Sequence, residues 1–318
     1  MRRVFDEWRA LGAKPVQGLS VVEARGQPGL LEAAASVLAK AERPPPASRV
    51  NVTREDLAYT GPGGSQLLRV YRPDNASPTS GVTLYLHGGG FVFGSVDRYE
   101  NSAIGLARRS GALVASAAYR QAPEHRFPAA HEDAWAAWRW LTTHAAEFGG
   151  DPKKLAVTGE GSGANLAACV ALRARDEGLP GPLHQVLIYP IAGTETNNYS
   201  YNAYGKAEPY GKARMEWIFR QIAADPKLLK DKRLNLGNNE LKGLPRTTVI
   251  TAEIDPVMFE GKLYGHKLDA DGIPTRFQNF EGVVHDFFGM DALLPEARAA
   301  QTTAAEQLEA AFRNAARG

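Results

Sequence analysis

The sequence predicts an α/β fold, in which one mostly parallel central sheet carries helices on both faces. Short apolar strand patterns alternate with helical segments from Val82 to the end of the chain. A glycine-rich turn at residues 157–166 joins a β-branched strand end to an alanine-rich helix. The 318 residues, 44% of them hydrophobic, are enough for a large core. Alternating strands and helices imply right-handed crossovers.

The N-terminal residues 1–42 have helical spacing, with Phe5, Trp8 and Leu11 predicted on one face and a second helical run at residues 30–41. Arg-Pro-Pro-Pro at residues 43–46 stops a helix and predicts an extended linker. The segment is too short to form its own domain. We therefore expect residues 1–48 to form cap helices over an active site in a catalytic domain of residues 49–318.

Strand patterns begin with an antiparallel hairpin at a sheet edge, whose strands lie at residues 50–59 and 67–71 around a turn at residues 61–64. Further strands are predicted at residues 82–86, 112–116, 155–157, 185–189, 247–251 and 276–280, with helices at residues 134–141, 166–173, 258–271 and 295–318. The Tyr- and Lys-rich stretch between Pro190 and Pro245 is long for a connection. We expect it to form a cap insertion, at about residues 193–240, above the strand ends.

Composition excludes several classes of protein. Thirty-seven basic and 35 acidic residues leave a net charge of +2, which predicts no nucleic-acid or membrane partner. The single cysteine, Cys169, excludes an internal disulfide and a cysteine-based metal site. The N-terminus lacks the apolar core of a signal peptide, and no apolar run reaches a membrane-spanning length. We expect a cytoplasmic protein.

The turn after the strand at residues 155–157 has the geometry of a nucleophile elbow, whose pattern is G-x-S-x-G. In this chain the frame is Gly159-x-Gly161-x-Gly163, so glycine occupies the position of the nucleophilic serine. A hydroxyl is present one residue later, on Ser162. Glu160 adjoins this position, and we expect it to have a structural role.

A second glycine cluster, Gly88-Gly89-Gly90, follows His87 at the end of a predicted strand. Glycines at the carboxyl end of a strand let backbone N–H groups approach a substrate closely, although a flexible turn would have the same composition. Together with an elbow later in the chain, the cluster predicts an oxyanion hole. We expect His87 to orient this loop rather than to transfer protons.

Candidates for the acid and the base follow the elbow in the order expected of this hydrolase arrangement. Asp255 comes after the strand at residues 247–251, and His285 after the strand at residues 276–280. His285 would take the nucleophile's proton and return it to the leaving group, and Asp255 would orient His285. Asp255 is also a candidate helix N-cap, and His285 a candidate surface residue. Asp286 adjoins His285 and is not expected to pair with it.

No cofactor or metal is expected. His125 and His131 lie near Glu124, Glu132 and Asp133, but their spacing matches no compact ligand pattern. Ion pairs and a helix start explain these residues better.

Several of these stretches together resemble the hormone-sensitive-lipase-like family of α/β-hydrolases. The stretches are HGGGF at residues 87–91, YRQAPEH at 119–125, FPAA at 127–130, AEIDP at 252–256 and VHDF at 284–287. The resemblance implies an α/β-hydrolase fold with a helical cap and hydrolysis of short- to medium-chain acyl esters without a cofactor. It also implies that Ser162 donates its backbone N–H to the oxyanion hole, with its side chain turned away from His285.

The chain departs from the family at the elbow, where the family has G-[DE]-S-A-G-G-N-L-A. The serine column falls on Gly161, and Ser162 falls on the alanine. Three interpretations follow: an engineered loss of serine in an active esterase, a natural chain with an altered function, or Ser162 as the nucleophile. We favour the first, because Asp255, His285 and the glycine loop are intact.

A rival class is a small-molecule receptor on a hydrolase fold, and an amidase or lactonase would use the same site. The expected partner is a small-molecule ester, and a homodimer is possible in this family. Candidate pocket residues are aromatic or flexible apolar side chains, for which a plain core role is an equal alternative: Phe91, Phe93, Tyr204, Met215, Trp217 and Phe219.

Overall fold

A sheet of eight strands forms the centre of the computed structural model, which describes residues 1–41, 50–77 and 79–315. The strands are β1 (Val52–Gly61), β2 (Gly64–Pro73), β3 (Ser80–Leu86), β4 (Leu113–Ala117), β5 (Gly150–Glu160), β6 (His184–Ile188), β7 (Arg246–Ile254) and β8 (Thr275–Val284). Their order is β1-β2-β4-β3-β5-β6-β7-β8. Strand β2 runs antiparallel to both neighbours, and every other pairing is parallel. The predicted α/β class and edge hairpin are confirmed.

Helices cover both faces of this sheet. They are α1 (Arg2–Ala10), α2 (Val21–Arg25), α3 (Leu30–Ala39), α4 (Glu100–Ser110), α5 (Ala129–His144), α6 (Ser162–Asp176), α7 (Tyr199–Tyr204), α8 (Lys212–Ile222), α9 (Met258–Ala270) and α10 (Pro295–Ala315). The buried side chains of α5, α6 and α9 join one apolar cluster, and those of α4 and α10 join the other. Strand β3 serves both clusters, because Leu84 and Leu86 point to the first face and Tyr85 to the second.

The N-terminal helix α1 buries only part of the predicted face. Val4 and Trp8 are buried, whereas Phe5 is half-buried and Leu11 is 42% exposed. The helix ends at Ala10, so Leu11 lies beyond the helical repeat, and the buried stripe is the i, i+4 pair. The predicted linker at residues 43–46 lies outside the described residues.

Two segments from different parts of the chain meet the loop that follows β3. Arg25, at the end of α2, donates to the carbonyl oxygens of Val92 (2.9 Å) and Ala122 (2.8 Å). Helix α8 lies between β6 and β7, and Ile218 on this helix packs against Gly90. The predicted extra structure in this connection therefore consists of short helices. None of the helices in the described ranges has both the length and the apolarity needed to cross a bilayer.

Candidate active site

The turn between β5 and α6 places Gly161 in a backbone conformation that few residues adopt. Its φ is +54° and its ψ is −113°, a combination that is strained for any residue with a side chain. Its N–H donates to the carbonyl oxygen of Ile188 (2.9 Å), and its carbonyl oxygen accepts from Ile191 (3.1 Å). A side chain on Gly163 would overlap the carbonyl oxygen of Leu86, so this glycine allows α6 to approach β3. The chain has the predicted sharp turn from strand to helix.

A buried His–Asp pair lies at the carboxyl ends of two neighbouring strands. His285 follows β8 and Asp255 follows β7, and Nδ1 of the imidazole is 2.7 Å from Oδ2 of the carboxylate. The other carboxylate oxygen accepts the N–H of Val257 at 3.0 Å. Because the Asp255 carboxylate accepts a hydrogen bond from Nδ1 of His285, the neutral imidazole carries its proton on Nδ1 and presents a lone pair at Nε2. The pair thus has the hydrogen bond of a base and its orienting carboxylate.

The pKa of His285 reflects competition between burial and charge. Burial alone lowers this pKa, but the negative charge of Asp255 and its hydrogen bond outweigh burial. The pKa is therefore raised above its usual value of 6.5.

Position 161 faces this imidazole. A Cβ atom at Gly161 would lie 3.0 Å from Nε2 of His285 and 4.0 Å from the Cα atom of Gly88. A hydroxyl on that Cβ atom would be within hydrogen-bond reach of Nε2, as a nucleophile and its base require. The structure therefore brings together Gly161, His285, Asp255 and the glycine loop.

The glycine loop is compact and has free amide donors. Gly89 and Gly90 have φ angles of +110° and +64°, and the carbonyl oxygen of Gly89 accepts from Val92 and Phe93. Among the described residues, none accepts a hydrogen bond from the N–H of Gly89 or Gly90. A Cβ atom at Gly88 would lie 2.6 Å from the hydroxyl oxygen of Tyr99, so only glycine fits there. This loop has the features of an oxyanion hole.

Two residues beside these glycines have supporting positions. The His87 ring stacks on Tyr119 at 4.3 Å, and its Nδ1 lies 2.8 Å from the carbonyl oxygen of Gly88. Burial lowers the pKa of His87 to about 4, which keeps the ring neutral. Ser162 is fully buried, and its Oγ atom has no hydrogen-bond partner among the described residues, whereas the Tyr119 hydroxyl donates to the carbonyl oxygen of His87 (2.8 Å). The Ser162 hydroxyl thus makes no hydrogen bond to His285.

Sequence reasoning missed the tyrosines that surround the imidazole. The rings of Tyr189 and Tyr210 lie 4.4 Å and 4.6 Å from the His285 ring. The Tyr210 hydroxyl donates to Asp286, which also accepts from Tyr99 at 2.9 Å. Asp286 thus bonds to tyrosines rather than to His285, as expected. The sequence had no local signal for these contacts.

Glu160 is a buried carboxylate behind the turn. It accepts hydrogen bonds from the hydroxyls of Tyr85 and Tyr189. Burial raises its pKa to about 7, although the tyrosine donors oppose that shift. These contacts agree with the predicted structural role. Glu160 holds the hydroxyl of Tyr189, and the Tyr189 ring in turn contacts the His285 ring.

The predicted pocket residues are dispersed. Phe93 lines a cavity of about 30 Å³ beside Gly89, and Trp217 stacks on Phe93 at 5.6 Å. The others do not line this cavity, and most of them are buried in the main apolar core: Phe91, Met215, Trp217 and Phe219 are buried, and Tyr204 is half-buried. Ile218, which contacts Gly90, is the α8 side chain that the pattern missed.

The other histidine cluster is structural. Nε2 of His131 bonds to Oδ1 of Asn165 at 2.9 Å, and Asp133 pairs with Arg120 at 2.8 Å. Burial lowers the pKa of His131 to about 4. Within the described part of the chain, no group of three metal-binding side chains is close enough to hold an ion.

Comparisons with known proteins agree with this fold. Residues 83–289 match the α/β-hydrolase fold family. An ethyl acetate hydrolase of Pseudomonas putida is 35% identical over 289 residues, which cover 89% of this chain and 88% of that protein. A carboxylesterase of Mycobacterium tuberculosis is 34% identical over 234 residues, covering 72% of this chain and 73% of that protein. The solved esterase of Pyrobaculum calidifontis has a TM-score of 0.84 and 35% identity over 95% of this chain and 97% of its own. The chain therefore belongs to the α/β-hydrolase family, in the hormone-sensitive-lipase-like branch of carboxylesterases.

Proposed function

We propose that the chain has the site of a carboxylic ester hydrolase that lacks its nucleophilic hydroxyl at Gly161. The observation that carries the proposal is the 3.0 Å between the Cβ position of Gly161 and Nε2 of His285. Serine at position 161 would place its Oγ atom within reach of the base. Ser162, the neighbouring hydroxyl of the elbow, does not offer this relation, because its Oγ atom forms no hydrogen bond with His285.

The remaining groups have defined roles in this proposal. His285 would accept the proton of a nucleophile and return it to the leaving alcohol, and Asp255 would fix the Nδ1 tautomer and stabilise the imidazolium. The amides of Gly88, Gly89, Gly90 and Ser162 would stabilise the oxyanion, and each such donor contributes about 2.7–4 kcal/mol in the transition state. No step requires a metal or a cofactor.

The loss of the hydroxyl has a large kinetic effect. Deleting the nucleophile of a comparable triad lowers kcat by about 10⁶, which corresponds to a barrier increase of about 8 kcal/mol. The oxyanion donors and the binding site leave a rate roughly 10³–10⁴ above the reaction in water. The chain would therefore bind esters and hydrolyse them very slowly.

We favour an engineered loss of serine in an active esterase as the origin of Gly161. His285 and Asp255 keep their 2.7 Å hydrogen bond, and the glycine loop keeps its free donors. Only the nucleophile is absent, whereas a change of function over time would be expected to disturb its partners as well. Short- to medium-chain esters are the proposed substrates, in line with the relative named for ethyl acetate hydrolysis.

In this proposal residues 1–48 and the insertion at residues 193–240 form the cap. Arg25 and Ile218 tie these segments to the loop after β3. A small-molecule receptor is the second candidate, because the cavity beside Gly89 is only about 30 Å³ and is bordered by the N-terminal segment. The retained base favours the enzyme. An amidase or lactonase activity, a homodimer and a cytoplasmic location stay predictions.

The test is the variant Gly161→Ser, assayed with p-nitrophenyl acetate and butyrate and labelled with a fluorophosphonate. We expect kcat/KM to rise at least about 10³-fold over the parent chain and the new serine to be labelled. Gly161→Ala is the matched control, because it adds the Cβ atom without the hydroxyl. Ser162→Ala in the variant should leave hydrolysis within a few fold. A variant that is folded, unlabelled and no faster than the parent would overturn the proposal.

A further inference from the structure

Arg214, on helix α8, lies between two aromatic rings near the proposed active site. Its guanidinium carbon is 4.3 Å from the centre of the Tyr210 ring and 5.0 Å from that of Phe93. A guanidinium group stacks well on aromatic faces, and two rings restrict its orientation. The group is thus held in place before any ligand binds.

This cation has no acceptor among the residues that the structure describes. Its Nε atom is buried without a hydrogen-bond partner, and no described carboxylate forms an ion pair with the guanidinium. Neighbouring arginines differ, since Arg98 pairs with Glu32 and Arg25 pairs with Glu124 at 2.7 Å. A buried donor without a partner is unfavourable, and a guanidinium fork matches a carboxylate well. The position is suited to an anionic ligand.

Arg214 is close to the reacting groups. The Tyr210 ring, on which it stacks, is itself 4.6 Å from the His285 ring. Arg214 also lines two cavities: the one of about 30 Å³ beside Gly89 and a second of about 270 Å³ between residues 14–17 and residues 205–213. Arg214 therefore lines both the smaller, inner cavity beside Gly89 and the larger, outer cavity at residues 14–17.

The charges around the outer cavity favour an anion. Lys14, Lys206 and Arg214 line it, and none of them pairs with a described carboxylate. Glu208 also lines it, but its carboxylate pairs with Arg9 at 3.3 Å. Three cations thus line the cavity, and the carboxylate that lines it is already paired.

The inner cavity has two carboxylates, and both have donors already. Glu32 pairs with Arg98, and Asp286 accepts from Tyr99 and Tyr210. Neither forms an ion pair with Arg214. The positive charge of Arg214 is consequently available to a ligand.

We propose that Arg214 binds a carboxylate on the substrate, so that the preferred esters carry an anionic group a few bonds from the scissile carbonyl. This inference rests on the proposed ester site and assigns its substrate class. Arg214 is a binding residue in it, and the proton transfers stay with His285. A carboxylate would satisfy the unpartnered Nε donor of Arg214, which lines the same cavity as Gly89.

The experiment compares two esters of the same shape on the parent chain, which hydrolyses them too slowly to interfere. Methyl hydrogen glutarate carries a carboxylate, and methyl 5-oxohexanoate carries an uncharged acetyl group in its place. We expect calorimetry to show the anionic ester binding roughly 10-fold or more tightly, which is the range of a charge-assisted hydrogen bond. Arg214→Met should abolish this preference and leave the affinity for the neutral ester within about twofold.

Arg220→Met is the matched control, because Arg220 is exposed on the same helix and should not change the preference. Arg214→Lys keeps the charge without the planar fork and should retain part of the preference. Equal affinities for both esters in the parent chain, or an unchanged preference in Arg214→Met, would overturn the inference. Gly161→Ser separates the two proposals: if it is inactive while the parent prefers the anion, the ester-hydrolase site fails and the anion site stands.

Discussion

Gly161→Ser should lower the stability of the protein while it restores the nucleophile. The residue has φ +54° and ψ −113°, and a strained conformation of this kind destabilises a residue with a side chain by about 1–3 kcal/mol. The new Cβ atom would also lie only 3.0 Å from Nε2 of His285, so the imidazole must move back by a few tenths of an ångström. A hydrogen bond from the hydroxyl to Nε2 offsets about 0.5–1.5 kcal/mol.

The expected net loss in unfolding free energy is about 1–2 kcal/mol, which lowers Tm by roughly 1.5–3 °C for a chain of 318 residues. Urea denaturation of the variant and the parent chain measures it. Gly161→Ala should lose more than Gly161→Ser, because it has the strain without the hydrogen bond.

Gly178→Ser provides the matched control for backbone strain. Gly178 has a φ of +64°, and a Cβ atom there would meet nothing within 4 Å. Its serine variant carries the penalty of a positive φ alone, about 1–2 kcal/mol. The difference in unfolding free energy between the two serine variants then measures the cost of the ψ angle and of the imidazole contact at position 161. A Gly161→Ser variant as stable as its parent would refute the reasoning.

Three further results are expected. In Gly161→Ser the raised pKa of His285 places the acidic limb of kcat/KM above pH 6.5, since the base must be neutral; a pH–rate profile measures this limb, and a limb below that value contradicts it. Adding Asp255→Asn to this variant should lower kcat about 10⁴-fold in steady-state assays, because the imidazole is no longer held in the tautomer with its proton on Nδ1. The pKa of Glu160 is about 7 when folded against 4.5 ordinarily, so unfolding free energy falls as pH rises from 4.5 to 7; Glu160→Gln should flatten this dependence in urea titrations at pH 5 and 8.

The sequence predicted the parts of the site that depend on strand ends. Asp255 and His285 are 30 residues apart, yet they meet because β7 and β8 are neighbouring parallel strands whose carboxyl ends share one edge. The elbow was readable because its glycines stand at fixed local spacing between a strand and a helix. Local patterns were therefore sufficient for the pair, the turn and the glycine loop.

The tyrosine contacts were beyond such reasoning. Tyr99 and Asp286 are 187 residues apart, and Tyr85 and Glu160 are 75 apart. Nothing in the spacing of these residues indicates that they meet, since only the closed sheet and the helices on it bring them together. Helix α4 was also not predicted, because most of the side chains that it buries are small or polar, such as Ser102, Ala103 and Gly105.

The buried ionisable groups around position 161 lower the stability of the fold, and only a reaction at this position would account for them. Glu160, Asp255, His285 and Asp286 are all buried within a small region, and each loses hydration there. Buried clusters of this kind, in which the pKa values of Glu160 and His285 are raised, are typical of sites where activity takes precedence over stability. Glycine at position 161 removes the strain of the elbow but leaves the buried charges in place. If Gly161→Ser gains hydrolysis and loses stability, one Cβ atom beside Nε2 accounts for both changes, and the remaining cluster is then explained as the machinery of that reaction.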